Sequence, residues 1–303
     1  MSFSTEVKKE LTNLNVNKIP NIQSELAAFL RVNGSAHLGF DAFFEIYSQN
    51  PAIARHVHFL VDKLVGPAEI TTEISSKNKK TNRYSIEIKN YQALLDELEI
   101  DVFSGRQSVP ERFLATQDQV FSFLRGIFLA SGSVNQPLSN NYHLELFIND
   151  RSLALQIVDL IINQLNLNAK IVERRTGQAV YLKKAEEISD FLAAIGATNS
   201  MLKFEDIRIM RDMRNSVNRL VNAETANLQR VVEASSRQIE AIKRIDRKIG
   251  LNQLPDNLQE IAKLRMENPE LPLVELGNLI EGKPISKSGV NHRMRKILLF
   301  DKG

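Results

Sequence analysis

From residue 24 to about residue 200, the apolar and polar positions run through one series of periods and then repeat it. SELAAFLRVNGSAHLG (24–39) is an apolar helical run that passes a glycine into strand-like residues, and FSFLRGIFLASGSVNQ (121–136) does the same. Period-two alternation follows in FFEIYSQN (43–50) and HLELFIND (143–150), which predicts half-buried strands. Helical spacing returns in PAIARHVHFLVDKLV (51–65) and RSLALQIVDLIINQL (151–165). Each copy then predicts a hairpin (69–88 and 169–182) and a closing helix (91–100 and 185–196). Matching positions lie about 98 residues apart at the first helix, about 100 at the first strand and about 94 after the hairpin, and a shorter second hairpin explains the drift. Copies over about 22–100 and 120–200 imply a pseudo-two-fold axis with the glycine-ended helices as its seam. Gly126 and Ala130 lie four apart on one helical face, where small side chains permit close approach; Ala28 and Val32 hold the matching places in the first copy.

The pattern changes at residue 203. Residues 203–250 predict a helical linker, with Leu220, Val221, Leu228, Val231 and Val232 as an apolar stripe and Asn218, Asn222, Thr225 and Gln229 as a polar face. Shorter helices follow over 257–268, 272–280 and 286–300, the last with Ser286 as its N-cap. In that helix Val290, Met294, Ile297 and Leu298 make a core face. Ser288, Asn291, His292 and Arg295 make the opposite one, flanked by Lys287, Arg293 and Lys296. A helix-turn-helix recognition helix needs this division, with short polar side chains and arginine on the groove side. The turn before it exceeds the usual three or four residues, and an ordinary amphipathic surface helix satisfies the same spacing.

Charge separates the same two regions. The 303-residue chain carries a net charge of +3, but residues 203–303 hold 19 Lys and Arg against 14 Asp and Glu (+5), and residues 1–202 hold 20 against 22 (−2). Either a polyanion-binding module or a solvated helical domain fits this asymmetry. There are no cysteines, which excludes disulfides, a thiol nucleophile and sulfur-ligated zinc. The polar start, MSFSTEVKKEL, and the lack of a long apolar run lead us to expect a cytoplasmic protein with no membrane contact; a DNA-binding role would make it nucleoid-associated. No cofactor motif is present. His56 and His58 stand two apart on a predicted helix and diverge, a poor metal pair; Ser131 and Ser133 have no histidine near in sequence.

The seam residues resemble the LAGLIDADG motif of homing endonucleases. The second copy reads LRGIFLASG over 124–132 and the first reads LAAFLRVNG over 26–34. In the active nucleases the penultimate position is an acid that holds a divalent metal. Here it is Asn33 and Ser131, so the resemblance implies a scaffold with no catalytic residue and no metal. A degenerate LAGLIDADG-like domain (1–202), a helical linker (203–250) and a helix-turn-helix domain (251–303) together are similar to the WhiA family. The strongest matching stretches are NRLVNAETANLQRVVEAS (218–235) and LPLVELGNLIEGKPISKSGVNHRMRKI (271–297).

The expected fold class is α+β, a duplicated LAGLIDADG-like domain with pseudo-two-fold symmetry followed by an all-α helix-turn-helix domain. The resemblance implies a non-enzymatic bacterial protein that binds double-stranded DNA in cell division and chromosome segregation, and a transcription regulator in sporulating actinomycetes. Lys287, Ser288, Asn291, His292, Arg293, Arg295 and Lys296 are the candidate DNA contacts. Arg211, Arg214 and Arg219 can meet phosphate or face solvent or another domain, and hairpin-tip Lys77, Lys79, Lys80, Arg174 and Arg175 can add weak backbone contacts. Two alternatives stay open: a scaffold that binds a cell-division or transcription protein through the N-terminal domain, and a residual metal-dependent nuclease.

Overall fold

The computed structural model describes residues 2–66, 70–75, 83–89, 91–103, 107–139 and 141–301. Lys77, Lys79 and Lys80 lie outside them. The first copy runs α2 (Ile19–Asn33), β1 (Gly34–His37), β2 (Phe43–Ser48), α3 (Pro51–Val65), β3 (Ile70–Ser75), β4 (Arg83–Ile88) and α4 (Gln92–Glu97). The second runs α5 (Gln117–Ser131), β5 (Gly132–Val134), β6 (Leu144–Ile148), α6 (Arg151–Leu165), β7 (Lys170–Arg174), β8 (Gly177–Leu182) and α7 (Ala185–Ala194). Each copy forms an antiparallel four-stranded sheet, in the order β1-β2-β4-β3 and β5-β6-β8-β7. The predicted alternation is real: Phe44 and Ile46 of β2, and Leu144, Leu146 and Ile148 of β6, are buried. Only Arg175 and Thr176 join β7 to β8, the short hairpin that the repeat offset requires.

Local chemistry starts the helices where the copies demand. Asn50 caps α3, its Oδ1 accepting from the Ala52 N–H at 2.9 Å, and Asp150 caps α6 through the Leu153 N–H at 2.8 Å. The glycines that end α2 and α5 have a different role from a usual helix stop. Gly34 and Gly132 sit at ordinary extended φ (−94° and −71°), and the chain passes straight into β1 and β5. A Cβ on Gly34 would lie 2.4 Å from Cζ of Phe44, and one on Gly132 would lie 2.3 Å from Cδ2 of Phe128. Each Cβ would also strike a carbonyl oxygen four residues back, that of Leu30 at 2.4 Å and that of Phe128 at 2.7 Å, so ring and backbone crowding, not the backbone angle, demands glycine at both ends.

A helix that the repeat does not contain precedes it: α1 (Phe3–Leu11), capped by Ser2. Phe3, Val7 and Leu11 enter the core shared by both copies, with Phe3 6.0 Å from the ring of Phe204. Glu10 accepts from the N–H groups of Asn199 (2.7 Å) and Ser200 (2.8 Å), the orphan donors at the start of the 52-residue α8 (Thr198–Ile249).

The chain divides into two compact units, one ending at Arg211 and the other beginning at Asp212. The second has its own core. Ile242 and Ile245 of α8 join Leu258 and Ile261 of α9 (Asp256–Glu267), Leu276 of α10 (Leu273–Asn278) and Val290, Met294 and Ile297 of α11 (Lys287–Phe300). The apolar stripe expected along α8 is not buried: Leu220, Val221, Leu228 and Val232 are exposed. Among the described residues no helix is long and apolar enough to cross a membrane.

Candidate nucleic-acid interface

The second unit builds a face from three helices. Ser286 caps α11, its Oγ accepting from the Gly289 N–H at 3.3 Å. Eight residues, 279–286, separate α10 from α11, and a close backbone approach holds this long turn. Ile285 N–H donates to the Gly277 carbonyl at 3.1 Å, and a Cβ on Gly277 would lie 2.2 Å from the Ile285 carbonyl oxygen. Glycine at 277 therefore lets α10 carry the strap that delivers α11. At the far end, Arg244 of α8 grips Asp301 with Nη2 to Oδ2 at 2.8 Å and Nε to Oδ1 at 3.0 Å.

This framing orients the side chains of α11. Val290, Met294 and Ile297 turn inward, whereas Lys287, Ser288, His292, Arg295 and Lys296 are exposed and Asn291 is half-buried. Leu298, placed on the core face by its spacing, is only half-buried. Arg293 is turned toward α9, where Nη1 donates to the Asn257 carbonyl at 3.3 Å and lies 3.5 Å from Glu260. Arg211 likewise donates to the Ser139 carbonyl (2.6 Å) with its guanidinium 5.0 Å from the ring of Tyr142. Arg214 and Arg219 are exposed on α8. Of the hairpin-tip arginines, Arg174 pairs with Glu145 at 3.1 Å, and Arg175 is exposed in the turn.

Arg265 is a structural residue that spacing did not reveal. It is almost wholly buried in α9, and burial lowers its guanidinium pKa below the ordinary value. Its Nη1 donates to the Leu271 carbonyl at 2.8 Å and reaches those of Asn268 and Pro269, so it holds the chain leading to α10. Ser235 of α8 donates to the same Pro269 carbonyl.

In the first unit the seam forms as the small residues require. A Cβ on Gly126 would lie 2.3 Å from the Glu25 carbonyl oxygen and 2.9 Å from Cβ of Ala28. Beside this contact, Glu25 of α2 accepts from Arg125 Nε at 2.8 Å and from His56 Nε2 at 2.6 Å, all three side chains buried. An ionised carboxylate only accepts, so the proton of this bond is on His56 Nε2. Burial raises the Glu25 pKa, but the Arg125 charge and the His56 hydrogen bond outweigh it, and the carboxyl ends below its ordinary range. His56 is thus one member of a seam lock.

Asn33 and Ser131 face the backbone. Asn33 Nδ2 donates across the seam to the Ala130 carbonyl at 3.2 Å, and Ser131 Oγ donates to the Ile127 carbonyl of its own helix at 3.4 Å. A nuclease metal needs carboxylates there, and the cleft that Asn33 lines has the cationic Lys8 in its wall, which disfavours a metal cation. These residues do not fit a divalent metal.

Comparison with known proteins agrees with this division. The family model for the WhiA N-terminal LAGLIDADG-like domain matches residues 21–101, that for the WhiA LAGLIDADG-like domain matches 120–214, and that for the WhiA C-terminal HTH domain matches 217–300. The chain is 49% identical to the "Probable cell division protein WhiA" of Pediococcus pentosaceus, covering 98% of this chain and 97% of the relative. It is 48% identical to the protein so named in Enterococcus faecalis, covering 99% and 97%. The crystal structure of full-length DUF199/WhiA from Thermatoga maritima superposes with a TM-score of 0.61 at 28% identity, over 100% of this chain and 98% of that one. The duplicated LAGLIDADG-like copies, the helical unit that follows them and a likeness that runs from end to end give one answer: the chain belongs to the WhiA family.

Proposed function

We propose that this chain is a non-catalytic DNA-binding protein that regulates transcription in cell division and chromosome segregation, acting at the nucleoid. The observation that carries the reading is the division of α11, with a buried apolar face set against exposed Lys287, Ser288, His292, Arg295 and Lys296. Docked in a major groove, Arg295 matches the two acceptors of guanine and Asn291 the acceptor and donor of adenine. Lys287 and Lys296 are placed to neutralise flanking phosphates, and Arg214 and Arg219 can extend that track along α8. Arg293 supports the domain through Glu260 and reaches DNA only by leaving that pair. The name of the relatives, cell division protein, supports the cellular setting. Asn33 and Ser131 in place of acids support a scaffold that binds without cutting.

Titration of the full-length protein onto genomic duplexes at several salt concentrations tests this reading. Affinity should fall with rising salt, while supercoiled plasmid with magnesium stays intact. Salt-independent binding, or cleavage of the plasmid, would overturn it.

A further inference from the structure

A cleft of about 700 Å³ opens in the first unit, where the ends of α2 and α5 meet the start of α3. Ser4 and Lys8 of α1, Asn33 of α2, Asn50 ahead of α3 and Ser133 of β5 contribute to its wall. Among the described residues Lys8 is the charged residue of that wall, and no acid lines it. The Lys8 Nζ lies 5.8 Å from the ring centre of Phe128, and among the described residues its ammonium has no carboxylate partner and no hydrogen bond. Burial lowers the amine pKa to about 8. Lys8 is half-buried, and a partly desolvated ammonium without a counter-charge gains from an anion beside it.

The surroundings favour such an anion. Four of the carbonyls near the ends of α2 and α5, which would repel it, are already engaged. Gly34 N–H takes that of Leu30, Gly132 N–H that of Phe128, Asn33 that of Ala130 and Ser131 that of Ile127. The 15-residue α3 directs its positive end at the cleft. The helix that carries the lysine is also held in place. Ser4 Oγ accepts from the Val134 N–H at 2.7 Å, and Glu10 holds the other end of α1 on the first turn of α8.

We propose that this cleft binds a phosphate group, with Lys8 as counter-ion and the surrounding hydroxyl and amide groups as hydrogen-bond donors. Donors from several elements suit the divergent oxygens of a phosphate, and lysine serves it as a point charge. The phosphate belongs either to a free phosphorylated small molecule or to a DNA backbone.

Calorimetric titration of pyrophosphate into the full-length protein, at ionic strength matched with chloride, tests this. Saturable binding is expected, weakened roughly tenfold or more in Lys8→Met and in Ser133→Glu, and retained in Lys8→Arg. Ser133 is exposed, so its variant keeps the test informative if Lys8→Met fails to fold. No saturable binding by the unmodified protein, or equal binding by Lys8→Met and Ser133→Glu, would overturn the proposal. Competition separates the two sources. If the phosphate is that of DNA, pyrophosphate displaces duplex and Lys8→Met weakens duplex binding; if it is that of a small molecule, duplex affinity is unchanged by either.

Discussion

Arg125 of the second copy reaches the carboxylate of Glu25 in the first, 2.8 Å from Nε to Oε2, and joins the two halves of the pseudo-symmetric unit inside its core. A buried pair gives little over apolar residues of equal size, but removal of one member strands the other. Arg125→Met should therefore destabilise the first unit by about 3–5 kcal/mol. Replacing both members, as Glu25→Leu with Arg125→Met, should recover part of the loss, less whatever His56 then forfeits. Denaturation midpoints of the two single variants and the double variant measure the coupling.

The same carboxylate gives the stability a direction with pH. The folded pKa of Glu25 is depressed below its ordinary value of 4.5, so its contribution is fully present above that value. It is lost as the pH falls toward and through the lowered folded pKa, where the unfolded chain binds the proton more readily. The unmodified protein should lose stability below about pH 4.5 more steeply than Glu25→Gln. Equal slopes in the two acid titrations would contradict the charge assignment.

Two glycines make opposite forecasts from helix propensity and from packing. Alanine is favoured over glycine in a helix by roughly 1 kcal/mol, so Gly126→Ala and Gly277→Ala should stabilise if space is free. The new methyl at 126 meets the Glu25 backbone, and that at 277 meets the Ile285 backbone. Neither can move cheaply, and each substitution should cost about 1–3 kcal/mol in its own unit. Thermal unfolding gives the sign directly.

Much of this was legible before any coordinates. The duplicated order of elements followed from periods of two and 3.6, and the Ser286 cap and the core face of α11 followed from spacing within fourteen residues. What escaped was held by tertiary contact. α1 has only three buried apolar positions in nine residues and no counterpart in the repeat, so its value appears once Glu10 meets α8. Glu25 and Arg125 are a hundred residues apart and become partners only when the seam closes. Arg265 has the same sequence appearance as the exposed Arg295, and only burial sets the two apart. The stripe on α8 shows the converse, a clear helical period with no core behind it.

The arginines of α11 should separate by readout. Arg295→Ala should lower duplex affinity by about 1–3 kcal/mol and relax sequence preference. Arg293→Ala, which removes the contacts to Asn257 and Glu260, should lower the stability of the second unit by up to about 1 kcal/mol and leave sequence preference intact. Anisotropy titrations on matched and scrambled duplexes, read beside thermal unfolding, distinguish the two roles.

The most direct test of DNA recognition by α11 is genome-wide occupancy of the full-length protein compared with Arg295→Ala at equal cellular abundance. DNA recognition by α11 predicts discrete sites for the unmodified protein, and the loss or scattering of those sites for the variant. The same discrete sites in both, at unchanged strength, would contradict it.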